Sequence, residues 1–170
     1  MKVIAIISAV VFVAALASIA VYVAGLRDYS DQVYRWHADP GSVAANRLVR
    51  GAKLDAINAN LHLLIAAVNQ SDNDPESFRT PSAAEPTNPP KLKLISLASG
   101  VATVEVINAE HLTQRMGSTG ANTFMAEATF TLTEHRDVQS VDFRFEEGDH
   151  AVPGLYARQD FLDRWKPVKE

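Results

Sequence analysis

An α+β domain behind an apolar N-terminal segment is the fold class that the sequence predicts. Three observations predict it. Residues Val3 to Leu26 run for 24 positions without a charge, more than the roughly 20 apolar residues that span a bilayer. Two stretches, Lys53–Asn69 and Ser118–Thr133, repeat apolar residues at intervals of three and four, the helical period. Between and after them lie the β-rich runs LKLISLA, VATVEVI and VQSVDFRF. The implied core is helix–strand–strand–helix–strand with a lead-in strand. Its simplest form is a small sheet with two helices on one face.

The first element is the apolar run. A secretory apolar region is about 7–15 residues long, so its length favours a retained transmembrane anchor over a signal peptide. Small residues at Ala15/Ala17 and Ser18/Ala20 leave cleavage open. Lys2 flanks one end, while Arg27 is offset by Asp28 at the other. The positive-inside rule therefore predicts a single-pass protein of the cytoplasmic membrane, with a cytoplasmic N-terminus and a periplasmic or extracellular body. The reading assigns 1–26 to the anchor, 27–31 to a juxtamembrane linker, 32–162 to the domain and 163–170 to a C-terminal tail.

The lead-in strand is QVYRWHAD, with Val33, Arg35 and His37 alternating with Tyr34 and Trp36; Asp39-Pro40-Gly41 then turns the chain. Arg47–Arg50 reads as a second short strand. In the first helix, Leu54, Ile57, Leu61, Leu64, Ile65 and Val68 form one apolar face. Residues 70–90 hold Pro75, Pro81, Pro86, Pro89 and Pro90 and read as a long loop. Ser99-Gly100 between the next two runs is a two-residue hairpin signal. Ala109–Arg115 suggests a helical turn that Gly117 interrupts. Ser118 is placed to cap the second helix, whose buried stripe is Ala121, Phe124, Met125, Ala128 and Leu132. A last strand covers Val138–Phe145, and the tail after Ala151 reads as irregular.

Composition narrows the function. There is no cysteine, so disulfides, cysteine-ligated zinc, iron–sulfur clusters and a lipoprotein anchor are excluded. A GxxG turn at Gly117–Gly120 could hold phosphate at a helix start, as KH domains do on RNA. The net charge of −4 and the lack of a basic cluster oppose nucleic acid as a partner. His37, His62, His111, His135 and His150 show no metal-ligand spacing. Glu134, His135 and Asp137, and then Glu146, Glu147 and Asp149, read as solvated turns. Serines near histidine, such as Ser118 and Ser140, lack a nucleophile motif. A hydrolase using Glu134 or His150 finds no partner at catalytic spacing, so no catalytic residue, cofactor or metal is expected.

The tetrapeptide Thr131-Leu132-Thr133-Glu134, followed three residues later by Val138, Val141 and Phe143, resembles the signature of the GerM-type (GerMN) domain family of spore germination proteins. The preceding Gly117-Ser118 and the hairpin LKLISLASGVATVEVI fit the same pattern, and the resemblance covers roughly Gln32 to Phe161. It departs at Val68–Ser71, where the family has a Gly-Pro element, and at Asp149-His150, where the family is glycine-rich. The resemblance implies a unit similar to ring-building motifs of envelope machines, tethered to a membrane outside the cytoplasm, with no established catalytic residues.

The expected function is thus a non-catalytic structural or assembly component of a cell-envelope complex, related to cell wall, division, secretion or sporulation and germination. Its expected partners are the membrane, envelope proteins and further copies of itself. Sheet edges at Leu92–Ala98 or Gln32–His37 would pair with them. The alternative is a binding module for a cell-wall fragment or other small envelope ligand, with Tyr34, Trp36, Tyr156 and Trp165 as stacking contacts.

Overall fold

Strand-forming and helix-forming runs alternate along the body, and among the described residues the computed structural model resolves them into two sheets and two α-helices. It describes residues 33–39, 46–54, 60–70 and 88–168. The predicted anchor and linker, Pro40-Gly41, the start of the predicted first helix at 55–59 and most of the proline-rich loop lie outside the described residues. Among the described residues no helix is long and apolar enough to cross a membrane.

Strand β1 (Val33–Ala38) pairs antiparallel with β2 (Arg47–Leu54), with a bulge between Tyr34 and Trp36. Helix α1 spans Leu61–Asn69, capped by Asn60, whose side chain accepts from the Leu63 amide. Strands β3 (Lys91–Ala98) and β4 (Val101–Ile107) form the predicted hairpin. Ser99 and Gly100 both adopt positive φ, 50° and 80°, the geometry that a two-residue turn needs to match strand twist. A π-helical turn at His111–Arg115 precedes helix α2 (Gly117–Leu132). Gly117 at φ 67° makes the break between them. Strand β5 (Ser140–Arg144) returns parallel to β4, the crossover that an intervening helix allows. Strand β6 (Gly154–Tyr156), a 3-10 turn (Arg158–Phe161) and β7 (Lys166–Val168) complete the chain.

The sheets are β1-β2-β7 and β3-β4-β5-β6. The inner face of the second carries Leu92, Ala102, Val104, Val106, Val141 and Phe143, all buried, and they join α1 and α2 residues in one core. Burial of a large apolar side chain contributes about 1.5–3 kcal/mol, so Phe124, Phe130 and Phe143, with none or 1% of their surface exposed, are principal contributors.

Five expectations are corrected. The described strands form two sheets rather than one small sheet, because β1, β2 and β7 pair among themselves and not with the hairpin. Lys53 and Leu54 belong to β2 rather than to a helix; the described helix keeps Leu61, Leu64, Ile65 and Val68 on its buried face. Helix α2 has no single buried stripe: Ala121 and Thr123 to Leu132 are all buried, because β1 and the other sheet's elements pack on different sides of it. Ser118 does not cap α2; the helix starts a residue earlier, after Met116, with no side-chain cap. The tail is ordered into the fold. β7 pairs parallel with β2, Arg47 against Lys166 and Val49 against Val168, and the compact unit runs from Gln32 to Glu170.

Candidate functional site

The polar residues of α2 meet the outer edge of β1. The Trp36 amide donates to Thr131 Oγ1 at 3.0 Å, and the Ala38 amide donates to Glu127 Oε1 at 2.8 Å. The match is geometric. Four helical residues rise about 6 Å, and two strand residues about 6.7 Å, so residues one helical turn apart reach successive outward amides. The edge that Gln32–His37 was expected to offer a partner is therefore occupied by the domain's own helix at Trp36 and Ala38.

At its C-terminus α2 tightens. Thr133, Glu134 and His135 amides donate to Thr129, Thr131 and Leu132 carbonyls, which turns the Glu134 side chain back over Trp36. The Glu134 carboxylate, 7% exposed, accepts from Trp36 Nε1 at 2.9 Å and from Arg158 Nη2 at 3.0 Å. Arg50 Nη2 stands 3.5 Å from both of its oxygens. Arg158 also donates from Nε to Thr133 Oγ1 at 2.7 Å and from Nη2 to the Phe130 carbonyl at 2.9 Å. Both guanidinium groups lie against aromatic rings: Arg50 is 4.6 Å from Tyr34 and 5.5 Å from Trp36, and Arg158 is 5.6 Å from Trp36 and 5.0 Å from Phe130. The tetrapeptide Thr131–Glu134 thus works as a clasp. Thr131 holds β1, Leu132 fills the core, Thr133 holds Arg158, and Glu134 joins β1, β2 and the 3-10 turn.

A second polar group lies at the other end of α2. Ser118 Oγ is 3.3 Å from His150 Nδ1, Arg164 Nη2 donates to Thr119 Oγ1 at 3.1 Å, and Trp165 Nε1 donates to Asn122 Oδ1 at 2.8 Å. Ser118 is exposed. Sequence spacing gave no signal that Ser118 and His150, 32 positions apart, would meet. The 16 residues of α2 rise about 24 Å, so Glu134 and His150 stand at opposite ends of the helix.

The four expected contact residues do not share one surface. Trp36 and Trp165 are 1% and 5% exposed, with both indole N–H groups donated internally, so their faces are covered by protein. Tyr156 stacks on Phe161 at 5.7 Å and meets Phe143 edge-on at 5.9 Å, and its hydroxyl donates to the Val152 carbonyl. Burial, with Asp160 and Glu147 nearby, pushes the Tyr156 phenol above its usual 10.0. Tyr34 lies under Arg50. Of the expected acidic and histidine residues, His135 Nδ1 accepts from the Asp137 amide at 3.2 Å, Asp137 pairs with Arg136, and His62 is exposed. Among the described residues no three His, Cys, Asp or Glu are grouped to hold a metal. Sequence reasoning missed Arg50 and Arg158. Arg50 sits in an ordinary strand-like RLVR, and Arg158 in a segment with no readable period.

The chain matches no protein-family model, no curated protein and no solved structure.

Proposed function

We propose that the chain is a single-pass protein of the cytoplasmic membrane that presents a GerM-like α+β domain outside the cytoplasm, as a non-catalytic assembly component of an envelope complex. The observation that carries this reading is the 24-residue charge-free run from Val3 to Leu26, directly ahead of a compact unit that begins at Gln32. Its length suits a membrane-spanning helix. The packing contacts of Thr131, Thr133 and Glu134 support a structural role for that tetrapeptide. Among the described residues β3 is an edge strand, which supports a docking role. The Asn69 side chain takes the Leu92 amide and carbonyl at 2.7 and 2.9 Å, while Ile95 and Leu97 farther along are 54% and 40% exposed. An edge strand with exposed apolar residues is a template for strand addition.

The test is crosslinking of the intact protein in its native membrane, with identification of its neighbours. The reading expects membrane retention after alkaline extraction, together with envelope proteins or further copies among the crosslinks. Release of a processed, monomeric body without envelope neighbours overturns it.

A further inference from the structure

Arg50 and Arg158 are held beside a single carboxylate, and their donors are only partly used. Both Nη2 groups lie within 3.5 Å of the same atom, Glu134 Oε1. Among the described residues neither arginine has an ion pair with any other acid, so two positive charges face one negative. A guanidinium carries five N–H donors. Arg50 brings only one nitrogen near an acceptor, at 3.5 Å, and its Nε is buried without a hydrogen-bond partner. Arg158 uses Nε and Nη2, and among the described residues its Nη1 has no hydrogen-bond acceptor.

The geometry points outward. Glu134 is sequestered, whereas the Arg50 and Arg158 side chains keep 25% and 29% of their surface in solvent. Stacking on Trp36 at 5.5 and 5.6 Å fixes the position of each group, and the ring cannot accept the in-plane N–H bonds that planar anions take. Trp36 and Arg158 both reach Glu134 Oε1, at 2.9 and 3.0 Å, while Oε2 is met by Arg50 Nη2 at 3.5 Å. Arg50 thus completes the clasp at a longer distance, and it brings a second positive charge to a carboxylate that neutralises only one. We propose that Arg50 and Arg158 together form a receptor for one anionic group, a carboxylate or a phosphate, bound on their solvent side opposite Glu134. The site does not depend on where in the cell the domain resides.

The test uses the full chain, labelled with 15N, in a zwitterionic detergent. The arginine Nε–Hε resonances are followed during titration with inorganic phosphate or with N-acetylglutamate amide, at constant ionic strength set by chloride. The Arg50 and Arg158 resonances should shift saturably with at least one probe, with a dissociation constant below about 10 mM, the range of a single charge-assisted contact set. Saturation by phosphate alone assigns a phosphate, by the glutamate derivative alone a carboxylate side chain, and by both a general anion site. Arg50→Gln should weaken binding by about tenfold or more, and Arg50→Lys by less, since it keeps charge without the fork. Arg115→Gln, at an exposed pair with Glu110, should leave binding unchanged. Absence of saturable shifts with either probe overturns the proposal. So does undiminished binding in folded Arg50→Gln or, should that variant not fold, in Arg50→Lys.

Discussion

Replacing Glu134 by alanine should destabilise the domain by about 2–4 kcal/mol. The figure follows from what the carboxylate holds. Trp36 is 1% exposed, so loss of its acceptor at 2.9 Å strands a buried indole N–H, at about 1–3 kcal/mol. The ion pairs add less than a fully buried pair would. Removing one partner of such a pair costs about 3–5 kcal/mol, but Arg50 and Arg158 are a quarter or more exposed and can turn to water, so each pair is nearer the surface value of about 0.5–1 kcal/mol. Arg158 also keeps its bonds to Thr133 and Phe130. Glu134→Gln retains an oxygen for Trp36 Nε1 but loses the charge and the acceptor that faces Arg50, which should cost about 1–2 kcal/mol.

Urea unfolding of residues 32–170, followed by tryptophan emission, measures both variants. The slope with denaturant should not change, so that the shift in midpoint reports stability alone. A Glu134→Ala variant within about 0.5 kcal/mol of wild type would refute the clasp. Equal losses for alanine and glutamine would refute the weight placed on the Trp36 acceptor. Increased stability in either variant would point the other way altogether, toward a carboxylate kept for chemistry at the expense of the fold.

Three further outcomes follow from the packing. Asn69→Ala removes both bonds to Leu92 and should cost about 1–2 kcal/mol in the same unfolding assay. Gly148→Ala would place a Cβ 2.6 Å from Thr113 Cβ and from Gln114 Nε2; Gln114 is exposed and can move, but Thr113 is buried, so a loss of about 1–3 kcal/mol is expected from thermal melts. Tyr156 has its phenol pKa raised in the folded state by burial, then by Asp160 and Glu147. Its contribution is therefore whole below pH 10.0 and declines as pH rises from there through the folded value. Tyr156→Phe should flatten that alkaline decline, and an unchanged slope above pH 10 would contradict the assignment.

The two sheets differ in how far they can be read from sequence. Period-two alternation and a Ser-Gly turn are local signals, and they located β3, β4 and β5 to within a few residues. The helical period of Leu61, Leu64 and Val68 extends backward through Lys53 because Leu54 happens to fall on it. Local pattern cannot detect that Lys53 and Leu54 pair with Tyr34 and Val33, a contact between distant positions. β7 was unreadable for the same reason. Three residues with a proline make no strand until β2 supplies the partner, and Arg158 was hidden in the same tail.

Helix α2 carries that argument to the candidate site. Thr123, Glu127, Thr129 and Thr131 look like a solvent face by composition, yet all four are buried. Two of them, Glu127 and Thr131, lie one turn apart and satisfy alternate amides of β1. An apolar residue at either place would leave a buried amide without an acceptor, a cost of about 1–3 kcal/mol. These polar side chains therefore belong to the core through their partners on β1, and Glu134 extends the same row of contacts to the surface. There the clasp meets solvent through Arg50 and Arg158, two positive charges beside one carboxylate. Packing demands explain Thr131, Thr133 and Glu134. Arg50 serves Glu134 Oε2 at 3.5 Å in the structural reading and an outside anion as well in the binding reading, so on that residue the two readings make different predictions.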